Sequence, residues 1–113
     1  MPDSDLELVR GTLDLILLKA LAWGPMHGLG VLRWIETATE RQLVVEEGAL
    51  YPALHRLEQK KLLAADWGLT DQNRRAKYYR LTERGRTHLG AEVTRWTRYT
   101  AAVARILATE NAR

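Results

Sequence analysis

Between residues 83 and 109, Leu89, Val93, Trp96, Thr100, Val103 and Leu107 follow one another at intervals of 4, 3, 4, 3 and 4. This is a heptad seam held over nearly three repeats, and it predicts one long helix with Thr82 as its N-cap. Tyr99, Ala102 and Ile106 widen the stripe. With 113 residues the chain is one domain by length, with a modest core. Such a core leaves the long stripe uncovered. The helix is therefore expected to pair with a second copy through Leu89, Val93, Trp96, Val103 and Leu107; the competing arrangement is a helix packed back on its own domain.

Upstream the pattern is one of shorter helices and a hairpin. Leu6, Val9, Leu13, Ile16, Leu17, Ala20 and Leu21 keep helical spacing through Trp23. Leu15, Leu18 and Ala22 add a second apolar face, which predicts that this helix also lies at a subunit interface. Gly24-Pro25 ends it. His27-Gly28 leads into a second helix with Val31, Leu32, Ile35 and Ala38 inside and Arg33, Glu36 and Arg41 outside. Leu43-Val44-Val45 reads as an extended link. Leu63, Ala65 and Trp67 then alternate as in a half-buried strand, Gly68 to Arg75 form a polar loop, and Tyr79 and Leu81 alternate on the return. That hairpin is expected to carry Asn73, Arg74, Arg75 and Lys77 at its tip, with Tyr79 inside and Tyr78 exposed. Trp23, Trp34 and Trp67 are expected to be packing residues.

The most informative helix is the third. Leu50, Ala53, Leu54 and Leu57 form one apolar stripe, while Tyr51, His55, Arg56, Gln59 and Lys60 occupy the opposite face. Glu58 is the only acid within that helix when Gly48 is taken as its cap, which places Pro52 near the fourth helical position, where at most the first intrahelical bond is lost. Tyr51 then lies in the first turn, where the helix dipole favours phosphate. An ordinary solvated basic face is the bland reading of this stretch.

Charge distribution supports the sharper one. Residues 1–47 hold four basic and eight acidic side chains (−4), residues 48–81 seven and three (+4), and residues 82–113 six and three (+3). A basic middle beside an acidic first third is an electrostatic footprint suited to a polyanion. Three helices ending in a basic one, followed by a hairpin with arginines at its tip, describe a winged helix-turn-helix. The expected fold is thus mainly α with a small β-hairpin. Residues 1–81 are expected to form a DNA-binding domain, its N-terminal helix also at the dimer interface, and residues 82–113 a dimerisation helix.

Other classes find little support. His27, His55 and His88 share no ligand spacing and there is no cysteine, so no metal site, thiol nucleophile or disulfide framework can be assembled. No glycine-rich phosphate loop follows a strand. The run Leu13 to Trp23 contains Asp14 and Lys19 and is too short to span a bilayer. No basic segment with a cleavage site precedes it. A non-enzymatic cytoplasmic protein without cofactor is expected.

Four motifs in order extend this reading: Gly11-Thr12-Leu13-Asp14, then Gly24-Pro25-Met26-His27-Gly28, then Glu47-Gly48-Ala49-Leu50-Tyr51-Pro52-Ala53-Leu54-His55-Arg56-Leu57-Glu58, and last Asn73-Arg74-Arg75-Ala76-Lys77-Tyr78-Tyr79-Arg80-Leu81-Thr82 followed by Gly85. With these the chain resembles the PadR-type winged helix-turn-helix transcriptional regulators over essentially its whole length, in the branch with a single C-terminal helix. The resemblance implies a homodimer on a partly palindromic operator, usually as a repressor. It places Tyr51, Pro52, His55 and Arg56 toward the major groove and Arg74, Arg75 and Lys77 on a wing that reaches the flanking backbone or minor groove; Gln59 and Lys60, on the same basic helix face, complete the expected DNA-binding set. Ala49 stands where the family commonly has Ser or Thr, and is left out of the contact set. Arg56 suits either bidentate reading of guanine or a phosphate contact, and Tyr51 a phosphate or sugar contact. In this branch a tryptophan from each subunit can line an apolar channel for flat aromatic compounds. Trp96, with Tyr99 and Leu15 or Leu18, takes that place here, with simple core filling as the alternative. A winged-helix module that binds protein rather than an operator is the competing function, and it would favour apolar residues where Arg56, Lys60, Arg74 and Arg75 stand.

Overall fold

The computed structural model describes residues 11–110. The order is α1 (Thr12–Ala20), a 3-10 turn (Leu21–Trp23), β1 (Met26–His27), α2 (Gly28–Ala38), α3 (Glu47–Gln59), β2 (Leu63–Leu69), β3 (Arg75–Leu81) and α4 (Glu83–Leu107). This is the expected winged-helix order, with one strand more than the hairpin anticipated. Met26 and His27 pair antiparallel with Tyr79 and Tyr78, so the sheet runs β1-β3-β2. Two residues carry no detectable alternation, which is why β1 is invisible in the pattern.

One core joins all four helices to the sheet. Leu17, Leu18 and Leu21 of the first segment, Val31 and Ile35 of α2, Leu50, Leu54 and Leu57 of α3, and Leu63, Tyr79 and Leu81 of the sheet are buried together. Each such aliphatic side chain contributes about 1.5–3 kcal/mol by leaving water. Leu18 is 0% exposed, so the second apolar face of α1 is covered in part by its own chain. Leu18 therefore cannot line a ligand channel; of the two leucines Leu15 alone, half-buried, reaches the surface. Leu6 and Val9 lie outside the described residues.

Local chemistry sets the boundaries. α2 is capped by His27, whose Nδ1 accepts the Gly30 N–H at 3.0 Å. α3 begins two residues earlier than Gly48 as cap would require: Glu46 is the cap, and its carbonyl accepts from both Ala49 and Leu50 at 3.0 Å. Pro52 is consequently the sixth helical residue, and the bond it omits is the one to the Gly48 carbonyl. The wing turn is also tighter than the polar loop suggested. Gly68 and Leu69 belong to β2 and Arg75 to β3, in a register that runs from Leu63 opposite Leu81 to Leu69 opposite Arg75. Only residues 70–74 turn, closed by Asn73 N–H to the Thr70 carbonyl and Thr70 N–H to the Arg74 carbonyl, each 2.8 Å.

α4 follows directly on the wing. Thr82 Oγ1 accepts the Gly85 N–H at 2.9 Å and donates to the Lys61 carbonyl at 2.8 Å. The helix ends at Leu107 rather than Thr109. Its first turns pack into the core: Gly85 and Leu89 are buried. Leu89 thus opens the heptad stripe inside its own domain and is not available as a dimer contact. From Val93 onward the stripe is open, with Tyr99 60%, Ile106 69% and Leu107 79% exposed.

Candidate nucleic-acid interface

α3 offers an outer face of exposed side chains, Tyr51, Pro52, His55, Arg56, Gln59 and Lys60, opposite its buried stripe. The wing lies beside the Tyr51 edge of this helix. Between them, and closed at one end by the start of α2, is a cleft of about 710 Å³ whose walls include Gly28, Arg33, Tyr51, Arg74, Arg75 and Lys77. Tyr51 is held there by packing: a Cβ at Gly28 would come within 2.5 Å of its hydroxyl oxygen. Burial, then the neighbouring Glu47 carboxylate, raises its pKa above the ordinary phenol value. Tyr51 therefore keeps its proton and can donate it to an anion.

The cations around α3 fall into two groups. Arg56 Nη2 meets Asp14 Oδ1 of α1 at 2.6 Å, Lys77 Nζ meets Glu58 Oε1 of α3 at 2.9 Å, and Arg80 Nε meets Asp66 Oδ2 across the hairpin at 3.4 Å. The hydrogen bond to Glu58 raises the Lys77 pKa and keeps the ammonium charged. Arg33, Arg74 and Arg75, by contrast, have no acidic partner among the described residues. All three line the cleft.

Several placements depart from the expectations. Arg56 is turned toward α1, so it spans the joint between two helices before it can face a groove. Lys77 lies within β3, not at the wing tip, and braces the wing against α3. Lys60 sits at the far end of α3, beside a hollow it shares with Arg84, Thr87 and His88 of α4. Tyr78 is not a free ring: it stacks on His27 with centroids 5.3 Å apart and planes 9° from parallel, and its hydroxyl donates to the Leu69 carbonyl at 3.0 Å. Trp23 and Trp67 are 72% and 63% exposed, so they are not packing residues; Trp34 does pack on the core. Lys19 and Arg75 lie over the Trp23 and Trp67 rings, each at 5.1 Å. Arg33 was legible only as an outward-facing residue of α2, and Asp14 only as a motif residue. Neither has a sequence signal that ties it to α3, because the tie is tertiary.

A second concave surface lies on the other side, between α1, the end of α2 and α4. Leu15, Ile16, Trp34, Ala38, Val93 and Trp96 line a mainly apolar groove of about 340 Å³. A smaller hollow next to it, about 190 Å³, is bounded by Leu15, Trp96 and Tyr99. The Trp96 and Tyr99 rings lie 6.2 Å apart. No described helix is long and apolar enough to cross a membrane, and among the described residues no three His, Cys, Asp or Glu side chains converge as a metal site would need.

Comparison with known proteins agrees with this geometry. A protein of Lysinibacillus sphaericus with no described function is 30% identical over 90 residues, 80% of this chain and 83% of that one. A transcriptional regulator of Clostridium thermocellum superposes with a TM-score of 0.77 at 27% identity, over 85% of this chain and 93% of that one. A PadR family transcriptional regulator of Eggerthella lenta does so with a TM-score of 0.75 at 30% identity, over 89% and 86%. Residues 17–91 match the transcriptional regulator PadR-like family. With a winged helix built from those residues and a basic cleft beside its third helix, the chain belongs to the PadR-like family of transcriptional regulators.

Proposed function

We propose that the protein is a cytoplasmic homodimeric repressor that binds a partly palindromic operator. The observation that carries this reading is the convergence of three cations, Arg33, Arg74 and Arg75, that have no acidic partner among the described residues, on a cleft that also holds the Tyr51 hydroxyl. A duplex strand supplies phosphates that such cations and a hydroxyl donor can contact. α3 enters the major groove with Pro52, His55 and Gln59 outermost. Tyr51 and Arg74 take the flanking backbone, Arg75 reaches the duplex from the wing, and Lys77 positions the wing. Two copies joined through Val93, Trp96, Val103 and Leu107 hold the two third helices about one duplex turn, roughly 34–36 Å, apart.

Binding of the purified protein to a duplex selected from a random library, measured across salt, tests this. Arg75→Ala is expected to weaken binding to every sequence and to lower the salt slope by about one. An unchanged slope removes Arg75 from the interface. Asp14→Asn releases Arg56 from its ion pair. It is expected to strengthen binding by several-fold and to steepen the slope, since one more cation becomes available to phosphate. A weaker complex after that substitution would mean that the pair serves to hold α3 in place.

The apolar groove at Trp96 fits a flat aromatic effector, held between the two subunits against Trp96, Tyr99 and Leu15. Such a molecule would release the operator by selecting a subunit spacing that does not match it. Titration with a planar cationic dye should quench tryptophan fluorescence at micromolar dye in the intact protein and not in Trp96→Ala. Quenching that is equal in both would assign Trp96 to the subunit core alone.

A further inference from the structure

The wing has two unlike faces. On one, every demand is met internally: Asp66 pairs with Arg80, and Tyr78 stacks on His27 while bonding the Leu69 carbonyl. The other begins in the core with Leu63 and Leu81, continues through Ala65 and Tyr79, and then runs beyond the core into Trp67 and Leu69. These last two are 63% exposed each, on a stretch of hairpin where solvent would favour polar residues. Their cross-strand partners are Lys77 and Arg75. Lys77 reaches from this face to Glu58, so the face looks toward α3. The Arg75 guanidinium lies 5.1 Å from the centre of the Trp67 ring, and Arg75 also lines the cleft beside Tyr51.

We propose that Trp67 and Leu69 are specificity determinants: they pack on the deoxyribose walls of the minor groove next to the operator half-site, and the Trp67 ring aims Arg75 into that groove. The inference rests on the DNA-binding reading above. A minor groove is the surface that matches this face, because its sugar edges are apolar and its rims are phosphate. The charge is complementary, and Arg75 makes the strip continuous with the basic cleft. The groove is narrowest and most negative over A·T tracts, where an inserted arginine is favoured. The apolar pair would be hydrated in the free protein and buried only on the duplex. Trp67 thus converts a freely rotating arginine into one with a stated direction, which gives the wing a flank preference without hydrogen bonds to bases.

The test uses the full chain and the duplex it selects from a random library, rebuilt with either A·T or G·C pairs flanking each half-site. Wild type is expected to favour the A·T flanks by about tenfold. Trp67→Ala should reduce that preference to within about twofold and weaken the A·T complex, with the salt slope unchanged because no charge is lost. Trp67→Phe, which keeps a ring beneath Arg75, should retain most of the preference. The inference is overturned if Trp67→Ala binds both duplexes as wild type does. It is equally overturned if the substitution dissociates the subunits in sedimentation, which would make Trp67 a chain–chain contact. If wild type enriches no duplex at all, the DNA-binding reading fails and this inference fails with it.

Discussion

Gly85→Ala is expected to destabilise the protein by about 3 kcal/mol, although alanine is the better helix former. Gly85 lies in the first turn of α4, against the strand-entry segment that follows α3. A Cβ built there would stand 2.0 Å from the Leu62 carbonyl oxygen and 2.9 Å from Leu81 Cδ1. The carbonyl cannot step aside, because it accepts the Thr82 N–H at 3.1 Å and is also 3.0 Å from the Thr82 hydroxyl. Relief would have to come from moving α4 off the sheet, which opens the core at Leu81 and Leu89. In a domain of this size the change should lower the midpoint of thermal unfolding by roughly 10–20 °C. Gly90→Ala is the matched control. It lies in the same helix with nothing within 4 Å of the added atom, and removing a glycine from a helix interior should stabilise by about 0.5–1 kcal/mol. Opposite signs from two identical substitutions five residues apart would locate the effect in the α4–Leu62 contact. A Gly85→Ala protein that melts with wild type would show that α4 is free to shift.

The second large effect is on assembly. Val103 lies on the open part of the α4 stripe, beyond the turns covered by the core. Val103→Lys puts two ammonium groups, one from each copy, into the proposed subunit seam. Lysine is a good helix former and suits the C-terminal half of a helix dipole, so α4 itself should persist. Light scattering should therefore show a folded monomer with an undiminished helical signal. Loss of the second half-site contact removes roughly 10²–10⁴ in apparent affinity, so operator binding at protein concentrations that saturate with wild type should disappear. A dimer that survives this substitution would place the interface elsewhere.

The element order and most of the core were legible because helices and the longer strands bury one face at a fixed period. Leu50, Ala53, Leu54 and Leu57 at the centre of α3 are buried as their spacing demands, and Leu63 pairs with Leu81 as alternation on both strands requires. Periodicity says which face is buried, but not what covers it. Leu89 and Leu18 show the difference: each belongs to a valid apolar stripe, and each is covered by its own chain rather than by a partner or a ligand. Trp67 shows the converse. It continues a buried alternation past the point where the core ends, which only the length of the hairpin beyond α3 reveals.

Sequence alone determined that a basic, one-sided helix is followed by a hairpin and then by a helix too apolar along its length for a small domain. These are local properties, set by hydrophobic spacing, capping and charge within a few turns. Tertiary structure alone decided which cations remain available. Asp14 lies 42 positions from Arg56 and Glu58 lies 19 from Lys77, and nothing in the intervening residues encodes either meeting. An ion pair depends on where two side chains end in space, at a scale of a few ångströms, whereas a sequence pattern specifies only the face from which each departs.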